Sequence, residues 1–149
     1  MTLVTRLVLA ALAVVELVVG LWNQWFPAGF YRDFPTVALT PPFSEHYARD
    51  FGGATLGIAV VLVAAFVSLR PALVVTAGLA YTVFAVPHLV FHVEHLDGAS
   101  SAQAIGLSAA NVIAAALGVL LVALGAADGR QRRRSDRGRV QHPRPGEVS

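Results

Sequence analysis

The sequence predicts an all-α fold, an integral membrane four-helix bundle in up-down order that ends in a disordered basic C-terminal tail. Three observations predict it. Hydrophobic residues make up 56% of the 149 and charged residues only 13%, and the mean hydropathy is +0.64, a poor match to a soluble domain. Four apolar stretches each reach the length of about 20 helical residues that a hydrocarbon core requires. The charge is also lopsided: all 11 basic residues are arginine, and Arg130, Arg132, Arg133, Arg134, Arg137, Arg139 and Arg144 follow the last apolar stretch.

The four spans are residues 3–22, 47–69, 72–93 and 102–126. The first begins like a secretory leader, with Arg6 ahead of an apolar run. Glu16 interrupts that run, however, and Leu21-Trp22-Asn23-Gln24-Trp25-Phe26 stands where a small-residue cleavage site would be needed, so the span is read as a retained helix. Trp22, Trp25 and Phe26, with Phe30, Tyr31 and Phe34, form an interfacial aromatic belt. Pro27, Pro35, Pro41 and Pro42 exclude one continuous helix through this loop but leave room for a short surface helix.

Ser44 followed by Glu45 is an N-cap for the second span. Ser68-Leu69-Arg70-Pro71 leaves space only for a tight antiparallel hairpin between the second and third. The last span is expected to end before Asp128-Gly129, which divides the chain into a helical domain, 1–127, and a tail, 128–149, too poor in apolar residues to fold alone. Arg6, Arg70 and the tail arginines fall on one side of a four-span topology. The positive-inside rule therefore predicts a multi-pass protein of the bacterial inner (plasma) membrane with N- and C-termini cytoplasmic.

Composition also excludes functions. With no cysteine, disulfides, thiolate nucleophiles and Cys-ligated metal centres are ruled out. Outside the tail, Arg6, Arg32, Arg49 and Arg70 are outnumbered by Glu16, Asp33, Glu45, Asp50, Glu94, Asp97 and Asp128, so no nucleic-acid face is present. The expected partners are the lipid bilayer and a partner membrane protein or homo-oligomer, with no nucleic acid.

Three polar features lie where apolar residues would be cheaper. Glu16 falls roughly 9 Å inside the outer end of the first span, and Asn111, on the last span, is expected at a similar depth within hydrogen-bonding reach. Pro87-His88-Leu89-Val90-Phe91-His92-Val93-Glu94-His95 closes the third span, with His88, His92 and His95 on one helical face, Glu94 pointing elsewhere and Pro87 bending the helix before them. Glu45-His46-Tyr47-Ala48-Arg49-Asp50-Phe51-Gly52-Gly53 opens the second span. Counting from the hairpin puts His46 at the level of Glu94 and Asp50 at that of Val90, so these strings are expected to be neighbours. Gly52, Gly53 and Gly57 offer small surfaces for a partner helix.

The expectation is an outer-half cluster drawn from Glu16, His46, Arg49, Asp50, His88, His92, His95, Glu94 and Asn111. His46, His88, His92 and His95 are its candidate metal ligands, and a metal ion or haem its candidate cofactor. No H-E-x-x-H or Glu-x-x-His pair is present. The same residues have structural readings: Arg49 and Asp50 as a charge pair tying the second span to the third, His92 and His95 as interfacial residues, Glu16 and Asn111 as polar glue.

The aromatic outer loop, the His-x-x-Arg-Asp start of the second span, the Arg-Pro hairpin and the Pro-His-x-x-x-His end of the third resemble small uncharacterised actinobacterial membrane proteins with a DoxX-like four-helix layout. The resemblance covers roughly residues 3–126 and implies the same layout. DoxX-like proteins as a group are linked with membrane redox and stress-response complexes, and the likeness assigns no residue a role.

The reading favours a non-enzymatic accessory component of the cell envelope that binds a small ligand, a metal ion or a partner helix. Two other classes use the same residues: a metal- or haem-dependent oxidoreductase with His46, His88 and His92 as ligands and Glu16 or Asp50 handling protons, and a proton-coupled small-solute transporter acting through Glu16. Topology is testable directly because the chain lacks cysteine. Ser44→Cys and Ser100→Cys are expected to react with an impermeant maleimide on intact cells, and Ser135→Cys only after permeabilisation; labelling of Ser135→Cys from outside would invert the orientation.

Overall fold

The computed structural model describes residues 3–39 and 42–141. Their elements are α1 (Leu3–Trp25), α2 (Pro27–Asp33), a 3-10 turn (Val37–Leu39), α3 (Glu45–Ser68), α4 (Pro71–Glu94) and α5 (Ser101–Gln141), with no strand among them. α1, α3, α4 and α5 are long and apolar enough to cross a membrane. The fold is the all-α four-helix bundle that the sequence predicts, and the short surface helix in the first loop is α2.

Local chemistry sets the helix ends. Ser44 caps α3, its Oγ accepting from the Tyr47 backbone N–H at 3.4 Å. Ser100 and Gln103 form a reciprocal capping box at the start of α5: the Ser100 N–H donates to Gln103 Oε1 at 2.9 Å and the Gln103 N–H to Ser100 Oγ at 3.3 Å. The α3–α4 hairpin turns on Leu69, which takes the left-handed conformation at φ 49° and donates its N–H to Ala65 O at 2.9 Å. Arg70 is extended, and Pro71 starts α4 where a missing N–H costs nothing.

The end expected before Asp128-Gly129 is not where the helix stops: α5 continues to Gln141. Arginine is a good helix former, and the extension is laced at four-residue spacing, with Arg132 Nε donating to Asp128 Oδ2 at 2.9 Å and Ser135 Oγ to Gln131 O at 3.2 Å. A single glycine at 129 weakens a helix without ending it. Residues 142–149, with Arg144, lie outside the described residues.

The bundle is built from two tight pairs. α1 packs along α3 and α4 along α5, whereas contact between α3 and α4 is much narrower and that between α1 and α5 narrower still. Glycine explains the pairing. A Cβ at Gly52 would lie 2.7 Å from the backbone N of Gln24, and one at Gly20 would meet Leu56. In the other pair a Cβ at Gly78 would lie 2.8 Å from the backbone N of Val122, while Gly118 faces Tyr81 and Thr82, and Gly125 faces Pro71 and Val75. Of the glycines named for the second span, Gly52 sits in a seam, Gly53 is near only Gln24 Oε1 and Gly57 faces open space.

Between the pairs lies a core of Leu9, Leu12, Leu62, Val74, Ala77, Tyr81, Ala85 and Leu121. The outer faces carry exposed apolar residues in every long helix, among them Val14, Val18, Val60, Val67, Leu79, Val83, Ile113 and Val119, as a lipid-facing surface requires. At the loop end, α2 folds back on α1: Trp22 meets Phe30 edge-on at 5.6 Å, and Phe30 stacks on Phe34 at 4.6 Å.

Gly52→Ala and Gly78→Ala each drive a methyl into a neighbouring backbone and are expected to cost about 1–3 kcal/mol. Gly57→Ala and Gly106→Ala, with nothing within 4 Å, are expected to be neutral or slightly stabilising. Thermal unfolding in detergent separates the two classes, and equal behaviour would refute the glycine-seam account.

Candidate functional site

Glu16 projects from α1 into the space between the two pairs. It is 3% exposed, and its Oε2 is buried with no hydrogen-bond partner among the described residues. Across the gap, on α4, Tyr81 is 2% exposed and lies within electrostatic reach of the Glu16 carboxyl. Small residues are buried in the same helices: Ala59 of α3 is fully buried, and Ala77 and Ala85 lie four residues either side of Tyr81 on its face of α4. A buried carboxyl oxygen with unused bonding capacity is exceptional in a packed interior.

From Tyr81 a line of rings climbs α4 toward the loop end. Tyr81 meets Phe84 edge-on at 6.2 Å, Phe84 stacks on His88 at 5.2 Å, and His88 meets His92 edge-on at 4.5 Å. His95 stacks on Phe91 at 4.1 Å and pairs its Nδ1 with Phe91 O at 2.8 Å. The helix continues through Pro87, whose missing N–H deprives the Val83 carbonyl of its helical donor. His92 Nδ1 is buried without a partner among the described residues, a second polar atom with capacity to spare. His88 and His92 are thus adjacent on one face of α4, whereas His95, just past the helix end, packs on Phe91.

The start of α3 is directed elsewhere. Arg49 donates from Nε and Nη2 to Glu45 Oε1, at 3.0 and 2.8 Å, and from Nη1 to the Gln24 carbonyl in the last turn of α1. It thus ties α3 to α1, not to α4, and its cation meets the negative end of the α1 dipole. His46 Nε2 lies 3.3 Å from Asp50 Oδ2, with the imidazole side chain 88% exposed. In the connecting loop, Arg32 hydrogen-bonds Asp33 at 2.6 Å and holds that carboxyl below the usual carboxylate range.

The residues of the expected cluster are thus not brought together. Glu16 lies near Tyr81 of α4, His88 and His92 continue the ring line from Tyr81 on α4, His95 is exposed beyond the end of α4, and His46, Arg49 and Asp50 belong to α3 of the α1–α3 pair. Phe51, 5.9 Å from Phe84, fills the space between α3 and α4. Asn111 does not reach Glu16 either; its Nδ2 donates to Leu107 O on its own helix at 2.9 Å. Because Gly118 sits against Tyr81, Asn111 lies two turns, roughly 10 Å, nearer the start of α5, toward the loop end. Glu94 is exposed at the end of α4. No three His, Asp or Glu side chains among the described residues are grouped closely enough to hold a metal ion.

Tyr81 and Asn23 are among the buried polar residues, with Thr5 and Thr55, that the sequence reading did not single out. Tyr81 passes for an apolar core residue until helical spacing is followed from His92 through His88 and Ala85. Asn23, 3% exposed, donates from Nδ2 to Val19 O at 3.0 Å; its seven-residue spacing from Glu16 placed it on the buried face of α1. Compared with known proteins, the chain matches no family model, no curated protein and no solved structure.

Removing Arg49 leaves the Gln24 carbonyl without its cationic donor. Arg49→Ala is expected to lower stability by about 1 kcal/mol, discounted for its partial exposure, and Asp50→Asn by less than about 0.5 kcal/mol. Detergent melting curves that rank Asp50→Asn as the more damaging change would refute the assignment.

Proposed function

We propose that this chain is a non-enzymatic accessory protein of the plasma membrane, with both termini in the cytoplasm, that binds a small polar ligand or the polar side chain of a partner protein between its two helix pairs. The observation that carries the reading is the buried, unpartnered Glu16 Oε2 facing Tyr81 across the weaker seam of the bundle. The ring line Tyr81-Phe84-His88-His92 supports it, because it runs along α4 toward the loop end and contains a second buried atom without a partner among the described residues, His92 Nδ1. A hydrogen-bond donor reaching Glu16, or one reaching His92, would use capacity that the fold leaves unspent. The accessory role accords with the DoxX-like resemblance.

If Glu16 served structure alone, an apolar residue would serve it better, since an unsatisfied buried polar group costs about 1–3 kcal/mol. Glu16→Leu is accordingly expected to raise the melting temperature in detergent while abolishing binding, and Glu16→Gln to keep the fold and weaken binding. Protein purified without chelator is to be analysed for co-purifying small molecules, membrane proteins, metals and visible absorption. A non-lipid molecule or partner protein lost in Glu16→Gln supports the reading. A stoichiometric metal or haem lost in His92→Ala would replace it with the oxidoreductase, and a wild-type protein carrying nothing that Glu16→Gln removes would sink it.

A further inference from the structure

Arg130, Arg133, Arg134 and Arg137 line a single shallow concavity on the extension of α5. Their spacings of three, one and three residues bring them onto one face of the helix. The opposite face carries Asp128, Arg132 and Asp136, which follow one another at four-residue intervals, and Arg132 is paired with Asp128 at 2.9 Å. Charge is therefore sorted around the helix, with four exposed guanidiniums on a face that contains no carboxylate. Like charges at these spacings oppose helix formation unless an anion joins them.

Position along the helix indicates which anion. α5 leaves the apolar span near residue 126, and at 1.5 Å per residue Arg130 stands roughly 6 Å beyond it and Arg137 roughly 16 Å. The headgroup layer occupies about 5–8 Å per leaflet, so Arg130 lies within it and Arg133 and Arg134 stand just above, within reach of a long side chain turned back toward the membrane. Arg130, Arg134 and Arg137 lie roughly a quarter turn or more from the side of α5 that meets Pro71, which Gly125 and Gly129 mark, and Arg133 borders that side. Arg6 and Arg70, both exposed, add cations at the same end.

We propose that the Arg130-Arg133-Arg134-Arg137 ladder binds the phosphate groups of anionic phospholipids in the leaflet from which α5 emerges. Guanidinium forks suit phosphate oxygens through paired N–H donors. The site is independent of Glu16 and of the seam between the helix pairs.

The test uses full-length protein in detergent, so that an altered insertion topology cannot confuse the result. Wild type is mixed with equal amounts of phosphatidylcholine and phosphatidylglycerol, and retained lipid is counted by native mass spectrometry. Wild type is expected to retain phosphatidylglycerol preferentially, with each Arg→Gln change in the ladder lowering retention by up to roughly fivefold. Arg132→Gln is expected to leave the preference intact, and quadruple Arg→Lys to keep part of it. No lipid preference in wild type, or an undiminished preference in the folded quadruple Arg→Gln protein, overturns the proposal. Retention of an added oligonucleotide in place of phosphatidylglycerol overturns it in favour of a nucleic-acid partner.

Discussion

The architecture depends on the close approach of backbones at a few glycines. Between helices in lipid there is little hydrophobic driving force, because a leucine is as well solvated by acyl chains as by another helix. Association rests on dispersion contacts and on hydrogen bonds, and both improve steeply as axes approach. Gly20 and Gly52 give α1 and α3 that approach, and Gly78, Gly118 and Gly125 give it to α4 and α5. No such set lies between α3 and α4, where Gly57 faces open space and the ring pair Phe51–Phe84 stands instead. The chain thus forms two firmly joined pairs with a looser boundary, although the short α3–α4 turn would suggest the opposite partition.

That boundary is where the polar residues matter. Glu16 arrives from one pair and Tyr81 from the other, so their relation is set by how the pairs meet and not by the packing inside either. Arg49, by contrast, acts wholly within the α1–α3 pair, bonding the last turn of α1. The two groups of polar residues therefore have separate physical roles. One closes a helix end near the headgroups, where water can share the cost of its charge; the other lies in the interior, where each unpaired atom has no such relief.

Much of this was legible in the sequence, for reasons that differ from residue to residue. The four spans were visible because length and apolarity alone decide them, and the Ser44 cap and the Arg70-Pro71 turn because their chemistry is local. The adjacency of His88 and His92 followed from helical periodicity, whereas His95 falls past the end of α4 and turns to Phe91. Lateral pairing did not: equal distance from a hairpin tip fixes depth but says nothing about which neighbour a helix leans on, so His46 and Asp50 were matched with α4 while Gly52 draws α3 to α1. Asn111 failed similarly, since an offset of two turns along α5 cannot be read from span lengths. The end of α5 was misplaced because glycine and arginine suggest an unfolded tail by composition, whereas spacings such as Asp128 to Arg132 support a helix.

The division into pairs constrains how Glu16 can act. Glu16 is 3% exposed and its Oε2 is buried, so the packed bundle leaves no open path for a ligand to that oxygen. Any ligand or partner side chain that bonds Glu16 must therefore select a state in which α1–α3 and α4–α5 have moved apart, at least toward the loop end where the histidine line begins. Such an occupant shifts the population only by its differential affinity for the open state. The glycine seams make each pair the closer contact, so under the proposed function such a displacement would fall on the α3–α4 and α1–α5 contacts, the narrowest in the bundle. Under the proposed function, binding at Glu16 and a change in the relative position of the pairs would be a single event, and that coupling would be a physical means of reporting occupancy to a neighbour.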